Sequence, residues 1–169
     1  MPPSSIEAFR AEIVELLPRL RRFARSLTRG VEDADDLVQI AIERALLRAD
    51  QLRPDSQLSS WIFGILRNAW IDEIRARRRR NRIFAPEELG ESVADPSAAE
   101  HADVLSVQEA MARLPDEQRE VVAMVLVEGL SYKEAAQIMN VPVGTVTSRL
   151  ARGRDALQAM LVQTPGARS

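Results

Sequence analysis

The chain has 169 residues, enough for one ordinary domain or two small ones, and its residues are 46% hydrophobic and 28% charged with a net charge of −2. It contains no cysteine, which excludes disulfides and thiolate metal sites and fits a reducing cytoplasm, where we expect the protein to act. No apolar run approaches ~20 residues and the start of the chain lacks a secretory pattern, so we expect no membrane insertion.

Apolar residues recur at helical spacing through the first 82 residues, which predicts three or four helices and no strand. The first helix spans residues 6–27 and contains Pro18, where we expect a kink. A second helix follows three aspartates and covers residues 37–49. The third begins near Leu58 and runs directly into a cluster of arginines.

Charge is distributed unevenly along the chain. Residues 61–82 carry a net charge of +5, residues 83–120 carry −8 and residues 141–169 carry +3. A polyanion would therefore be attracted to two segments and repelled between them. The acidic middle also contains Pro86, Gly90 and Pro96 without an apolar period, which predicts a flexible linker. The alternative is a surface loop within one domain, although ~20 structureless residues is long for that.

Residues 130–154 have the signals of two short helices around a tight turn. Ser131 and Glu134 have the spacing of a capping box. Gly129 and Asn140 are suited to left-handed helix ends, and Pro142 is suited to the start of the next helix.

The second of these helices has two different faces. A buried stripe is predicted at Val146, Leu150, Gly153 and Leu157, where the glycine would permit a neighbouring helix to approach closely. The opposite side is predicted to hold Thr147, Ser148, Ala151 and Arg152. This pattern favours a helix that lies in a DNA major groove. A packed helical hairpin with a solvated basic face is the alternative.

Taken together, these motifs resemble extracytoplasmic-function (ECF) bacterial RNA polymerase sigma factors. The resemblance covers roughly residues 9–160 and depends on the DLVQ helix, on WIFGILRNAWIDEIR and on PVGTVTSRLARGR. It implies an all-α fold of two small helical domains, a region 2 bundle and a region 4 helix-turn-helix, joined by a flexible acidic linker. The expected boundaries are residues 1–82 for region 2, 83–100 for the linker, 101–163 for region 4 and 164–169 for a tail.

The resemblance also implies partners. The chain is expected to bind core RNA polymerase, duplex DNA at the −35 element and the melted non-template strand at the −10 element. An anti-sigma factor is expected to control it, in a stress response. No catalytic residue, metal or cofactor is expected.

The family's surface for the polymerase clamp matches the second helix. The implied polymerase-binding residues are Asp36, Leu37, Val38, Gln39 and Glu43. Leu37 and Val38 also have the pattern of core residues, and for Leu37 we favour that interpretation. Ile40 stands where an acidic residue is common in the family, so one polar contact differs here.

The family captures a flipped −10 base with the loop before the third helix and with that helix. The implied −10 residues are Asp55, Ser56, Gln57, Ser59, Asn68, Trp70, Arg75, Arg77, Arg78, Arg79 and Arg80. The loop side chains can bond a base edge, and the arginines can contact phosphates. Trp61 is expected to be buried, whereas Trp70 fits burial and base stacking about equally well.

The helix-turn-helix matches the family's −35 reader. The implied −35 residues are Thr145, Thr147, Ser148, Arg149, Ala151, Arg152 and Arg154. Arg149 and Arg154 are expected to hold phosphates, as is Thr145 at the helix N-terminus. Many relatives have a basic residue in place of Thr147, which allows the preferred bases to differ.

Three other functions are compatible with parts of the sequence. A sigma-like decoy would bind only an anti-sigma factor and would have no use for the arginine cluster or Arg152. A dimeric helix-turn-helix regulator would lack a sigma-like first domain and would need a dimer helix. An enzyme is disfavoured because the single histidine, His101, has no nucleophile, metal ligand or phosphate loop around it.

Overall fold

The structure, a computed structural model, describes residues 3–84 and 106–162. These residues form α-helices with short connections and no strand, which confirms the predicted all-α class. The predicted linker lies outside the described residues except for its first two, which end the third helix. The predicted tail and residues 101–105 also lie outside them. None of the described helices is long and apolar enough to cross a membrane.

The helices are, in chain order, α1 (Pro3–Leu27), α2 (Val31–Leu47), a 3-10 turn (Ala49–Gln51), α3 (Leu58–Phe84), α4 (Val107–Arg113), α5 (Asp116–Val122), a π-helical turn (Ala123–Val127), α6 (Tyr132–Met139) and α7 (Val143–Val162). The π turn continues α5 directly. Its geometry is defined by a 3.0 Å hydrogen bond from the Glu128 N–H to the Ala123 carbonyl, five residues earlier.

Helices α1, α2 and α3 pack into one bundle. Phe23 of α1 and Phe63 of α3 meet edge to face, with ring centroids 5.2 Å apart, at the centre of this core. Helix α2 presents Ala34, Ala41 and Ala45 to its neighbours, and all three are fully buried. These small side chains allow the helix axes to approach each other closely.

Helices α4 to α7 form the second group, in which α7 packs most extensively on α5. Gly153 makes this contact possible, because a Cβ at that position would lie 2.7 Å from Cγ2 of Val122. The predicted close approach at Gly153 is therefore confirmed.

The turn chemistry predicted around α6 is also confirmed. Ser131 accepts a hydrogen bond from the Glu134 N–H, and the Glu134 carboxylate accepts one from the Ser131 N–H. Gly129 has φ 70° and Asn140 has φ 53° and ψ 48°, both in the left-handed region. These short-range interactions set the directions in which α6 begins and ends.

The two groups of helices are packed on each other. Helix α1 contacts α4, α5 and the π turn, and α3 contacts α6. Their buried hydrophobic residues form one continuous cluster. The described chain is therefore closed, with the second group folded against the first.

Candidate nucleic-acid interface

The outer face of α7 is open to solvent, as its sequence pattern predicts. Thr147, Ser148, Ala151 and Arg152 are all exposed. The hydroxyls of Thr147 and Ser148 donate to carbonyls of their own helix, at 3.0 and 3.1 Å. Short side chains thus surround a single long cation, an arrangement that lets a helix backbone approach base edges closely.

The flanking residues of α7 are placed differently from one another. Arg154 is exposed and Thr145 is half-buried at the first turn. Arg149 turns toward the protein and pairs with Glu117 at 3.3 Å and Glu120 at 3.9 Å. In this arrangement Arg149 is engaged with carboxylates, so a phosphate contact would require it to leave them.

Helix α2 exposes some of its predicted residues and buries others. Asp36, Gln39 and Glu43 are exposed, whereas Leu37 and Val38 are each only 4% exposed. Both pack in the bundle core, as favoured for Leu37, so the resemblance-implied assignment of Leu37 and Val38 as polymerase-contact residues is corrected. The exposed side of α2 is therefore polar apart from residues such as Ile40.

A cleft borders the loop that precedes α3. Predicted residues that line it are Asp55, Ser56, Gln57 and Asn68. Ser59 of the same set is half-buried. A turn with a 3.0 Å bond from the Ser56 N–H to the Arg53 carbonyl holds the loop's polar side chains at the mouth of the cleft.

The two tryptophans differ in burial, and Trp61, which was expected to be buried, is the more exposed of the two. Trp61 is half-buried, packs edge-on against Phe9 with centroids 6.3 Å apart, and lines the cleft. Trp70 is 5% exposed and lies in the core with Leu66 and Ala69. The stacking role predicted for Trp70 is therefore corrected. Helical spacing alone does not distinguish a core ring from one at the edge of a cleft.

The arginine cluster at the end of α3 is partly neutralised. Arg77 pairs with Glu73 at 3.0 Å and with Asp33 at 3.3 Å, and these hydrogen bonds raise the pKa of the Arg77 guanidinium. Arg80 also pairs with Glu73. Arg75 and Arg79 are exposed and form no ion pair within residues 3–84 and 106–162. These two are the cations of the cluster most available to a phosphate backbone.

The second group of helices forms the other wall of the cleft. Lys133, Glu134, Gln137 and Ile138 of α6 line it opposite the loop. Farther along α3, Arg78 pairs with Asp116 of α5 at 3.0 Å. The cleft is therefore shared between the two groups.

Comparison with known proteins identifies both groups. Residues 13–80 match the sigma-70 region 2 family and residues 105–157 match the sigma-70 region 4 family. The chain is 37% identical over 155 residues to the ECF RNA polymerase sigma factor EcfG of Rhodopseudomonas palustris, covering 92% of this chain and 86% of the relative. This chain belongs to the ECF family of RNA polymerase sigma factors. As such, it binds core RNA polymerase and directs transcription initiation at promoters.

Other relatives agree with this assignment. The ECF sigma factor SigM of Mycobacterium tuberculosis is 41% identical over 143 residues, which are 85% of this chain and 71% of SigM. The sigma factor RpoE of Bartonella quintana, solved in complex with the anti-sigma factor NepR, matches with a TM-score of 0.75 and 32% identity over 91% of this chain and 96% of that one. CnrH, solved with the cytosolic domain of CnrY, matches with a TM-score of 0.67 and 26% identity. The match covers 90% of this chain and 86% of CnrH.

Proposed function

We propose that this sigma factor reads a promoter through two separate surfaces. Region 4 enters the −35 major groove with the exposed face of α7, where Arg152 and its short neighbours contact base edges. Region 2 receives the melted −10 strand in the cleft beside α3. The observation that supports this most directly is that both surfaces present polar side chains from adjacent helical turns without burying them in the core.

Within the −10 cleft, the loop side chains of Asp55, Ser56 and Gln57 bond the edge of a flipped base. Asn68, on the part of α3 that lines the cleft, contacts the same strand. Trp61, rather than Trp70, offers a partly exposed ring edge there, and Arg75 and Arg79 hold the backbone.

Core polymerase docks on the exposed side of α2. Asp36, Gln39 and Glu43 lie on that side, and the Gln39 amide donates to the Glu43 carboxylate at 3.2 Å. Ile40, 39% exposed, lies beside them and adds an apolar contact where relatives commonly have a charge.

An anti-sigma factor controls the protein. The support comes from two relatives solved with such partners, RpoE with NepR and CnrH with CnrY. The RpoE match extends over 91% of this chain, so it includes both helical groups in a similar relative placement.

The test is in vitro transcription with purified core polymerase, using promoters identified by mapping transcription start sites after overexpression. The wild-type chain should initiate at those promoters, and Arg152→Ala should initiate poorly. Arg10→Ala, on the exposed surface of α1, is the matched control and should initiate as the wild type does. Failure of the wild-type chain to initiate while it still binds an anti-sigma partner would favour the decoy function.

A further inference from the structure

Region 4 holds a buried carboxylate whose partners all come from region 2. The Glu128 side chain is fully inaccessible to solvent. Arg22 donates to it from Nε at 2.8 Å and from Nη2 at 3.0 Å, and Arg19 donates from Nε at 3.2 Å. Two-pronged arginine–carboxylate bonding of this kind has a defined geometry and is stronger than a neutral hydrogen bond.

A second buried carboxylate repeats the arrangement on α5. Glu120 accepts from Nε and Nη2 of Arg67 at 3.0 and 3.3 Å, and its side chain is 4% exposed. Burial raises the pKa of Glu120, while the bonds from Arg67 lower it. Arg67 precedes Asn68, which lines the cleft, and bonds across the contact between the domains.

Both carboxylates are bonded by arginines of the other domain, and Glu120 also lies 3.9 Å from Arg149 of its own domain. The partners of Glu128 lie 106 and 109 residues earlier in the chain, and Arg67 lies 53 residues before Glu120. A buried carboxylate without a cation is strongly unfavourable, whereas an exposed one is hydrated at little cost. Arg19, Arg22 and Arg67 therefore offset this cost only while the two domains are in contact.

The same contact covers the DNA surfaces of region 2. Helix α6 stands across the cleft from the −10 loop, and Arg78 is neutralised by Asp116. A DNA strand that enters the cleft must displace α6, and one that contacts Arg78 must displace Asp116.

We propose that the two clusters, Arg19–Arg22–Glu128 and Arg67–Glu120, form a latch that holds the free sigma factor closed and keeps region 4 over the −10 cleft until polymerase separates the domains. The covering of the cleft matters only if the cleft binds DNA, so that part rests on the proposed function. The latch itself is a property of the chain alone.

The test measures the distance between the domains. Because the chain has no cysteine, Asp50→Cys in region 2 and Gln158→Cys in region 4, both at exposed positions, allow site-specific attachment of a fluorescent donor and acceptor. The latch variant is Arg19→Gln with Arg22→Gln. The matched control is Arg21→Gln with Arg25→Gln, which removes the same charge from exposed positions of the same helix that form no ion pair with the described residues.

The wild type and the control should each show a single population with high energy transfer between donor and acceptor. The latch variant should raise the ratio of open to closed molecules by roughly tenfold, because Glu128 keeps its burial cost and loses its partners. Circular dichroism should show the same helicity in all three. Equal energy-transfer efficiency in the latch variant and the control would overturn the proposed latch. A wild type that is already open would overturn it as well.

Affinity for purified core polymerase provides a second readout that needs no promoter. If polymerase binds only the open form, its apparent affinity should rise by the same factor as the open fraction. Opening without tighter polymerase binding would overturn the inhibitory role. If no protein in the series supports promoter-dependent initiation, the proposed function fails, while the transfer measurement still decides whether the latch exists.

Discussion

At the scale of single residues, Gly153 shows why a glycine is present in the middle of a helix that would be more stable with alanine. Its missing Cβ is the space that Val122 of α5 occupies. Val122 is β-branched and fully buried, so it has little freedom to move away.

We expect Gly153→Ala to destabilise the protein. The gain in helix propensity is about 1 kcal/mol, but an overpacked contact costs about 1–3 kcal/mol, which leaves a net loss on the order of 1 kcal/mol. Gly144→Ala in the same helix is the control, because nothing lies within 4 Å of a Cβ there, and it should be neutral or stabilising. Urea unfolding of the two variants measures the difference.

Arg152 is the exposed cation on the face of α7 that we propose to contact bases. We expect Arg152→Ala to reduce discrimination between the correct and an altered −35 element by about 1–3 kcal/mol, because a two-pronged arginine–guanine contact has that value. Arg154→Ala should weaken all templates about equally, since a phosphate contact does not depend on sequence. Titrating each variant's holoenzyme on a template with the correct −35 element and on one with the altered element measures both effects. Equal losses on both templates for Arg152→Ala would remove it from base recognition.

The features that could be predicted from sequence are those set by residues nearby in the chain. The left-handed conformation of Asn140 and the exposure of Thr147 follow from chemistry within one or two turns. The position of Trp70 in the core, and the pairing of Arg149 with Glu117, depend on which helix packs opposite. A helical pattern shows that a face is apolar or polar but not what it meets.

At the scale of helices, α6 has only eight residues, so it depends on its ends. The capping box at its start and the left-handed Asn140 at its end satisfy backbone groups that a short helix leaves unpaired. Because α6 also forms a wall of the cleft, its caps hold Lys133 and Gln137 in place.

Removing the cap should loosen this helix. Ser131→Ala should lower the free energy of unfolding by about 1 kcal/mol. Ser26→Ala, which removes a hydroxyl bonded to the Arg22 carbonyl in the last turn of α1, is the control and should have a smaller effect. Chemical denaturation followed by circular dichroism measures both. A loss for Ser26→Ala as large as for Ser131→Ala would contradict the assigned role of the cap.

The same cap predicts a dependence on pH. Bonds from the Ser131 backbone and hydroxyl hold the pKa of Glu134 below its usual value. A carboxyl with a lowered folded-state pKa stabilises the fold above its ordinary pKa and loses that contribution as pH falls through the folded-state value. The stability difference between wild type and Glu134→Gln should therefore narrow on acidification. Glu12→Gln, at an exposed position of α1 outside any cap, is the matched control for removing a carboxylate.

At the scale of the whole molecule, one compact body contains both of the proposed DNA-binding surfaces, and the two differ in their exposure to solvent. The α7 face is open while the −10 cleft faces α6. The sequence predicted two domains from the acidic segment between them, which contains proline and glycine, and from the resemblance to ECF sigma factors. It did not predict their contact, since the partners of Glu128 lie more than a hundred residues away in the chain.

Free protein should bind duplex promoter weakly and with little sequence preference. Each domain makes few contacts, and simultaneous binding requires polymerase to hold both at a high effective concentration. Fluorescence anisotropy with and without core polymerase measures this, and a −35 duplex with scrambled sequence is the control. Tight, sequence-specific binding by the free chain would contradict it.

The π turn makes the proposed latch sensitive to the deletion of a single residue. A π-helical turn is equivalent to an α-helix lengthened by one amino acid, and the extra residue shifts everything after it by about 100° around the axis. Glu128 follows this turn immediately, so its direction toward Arg22 depends on that additional residue. Loss of a single codon between 123 and 127 would restore a regular helix, keep the apolar composition nearly intact and point the carboxylate away from the neighbouring domain.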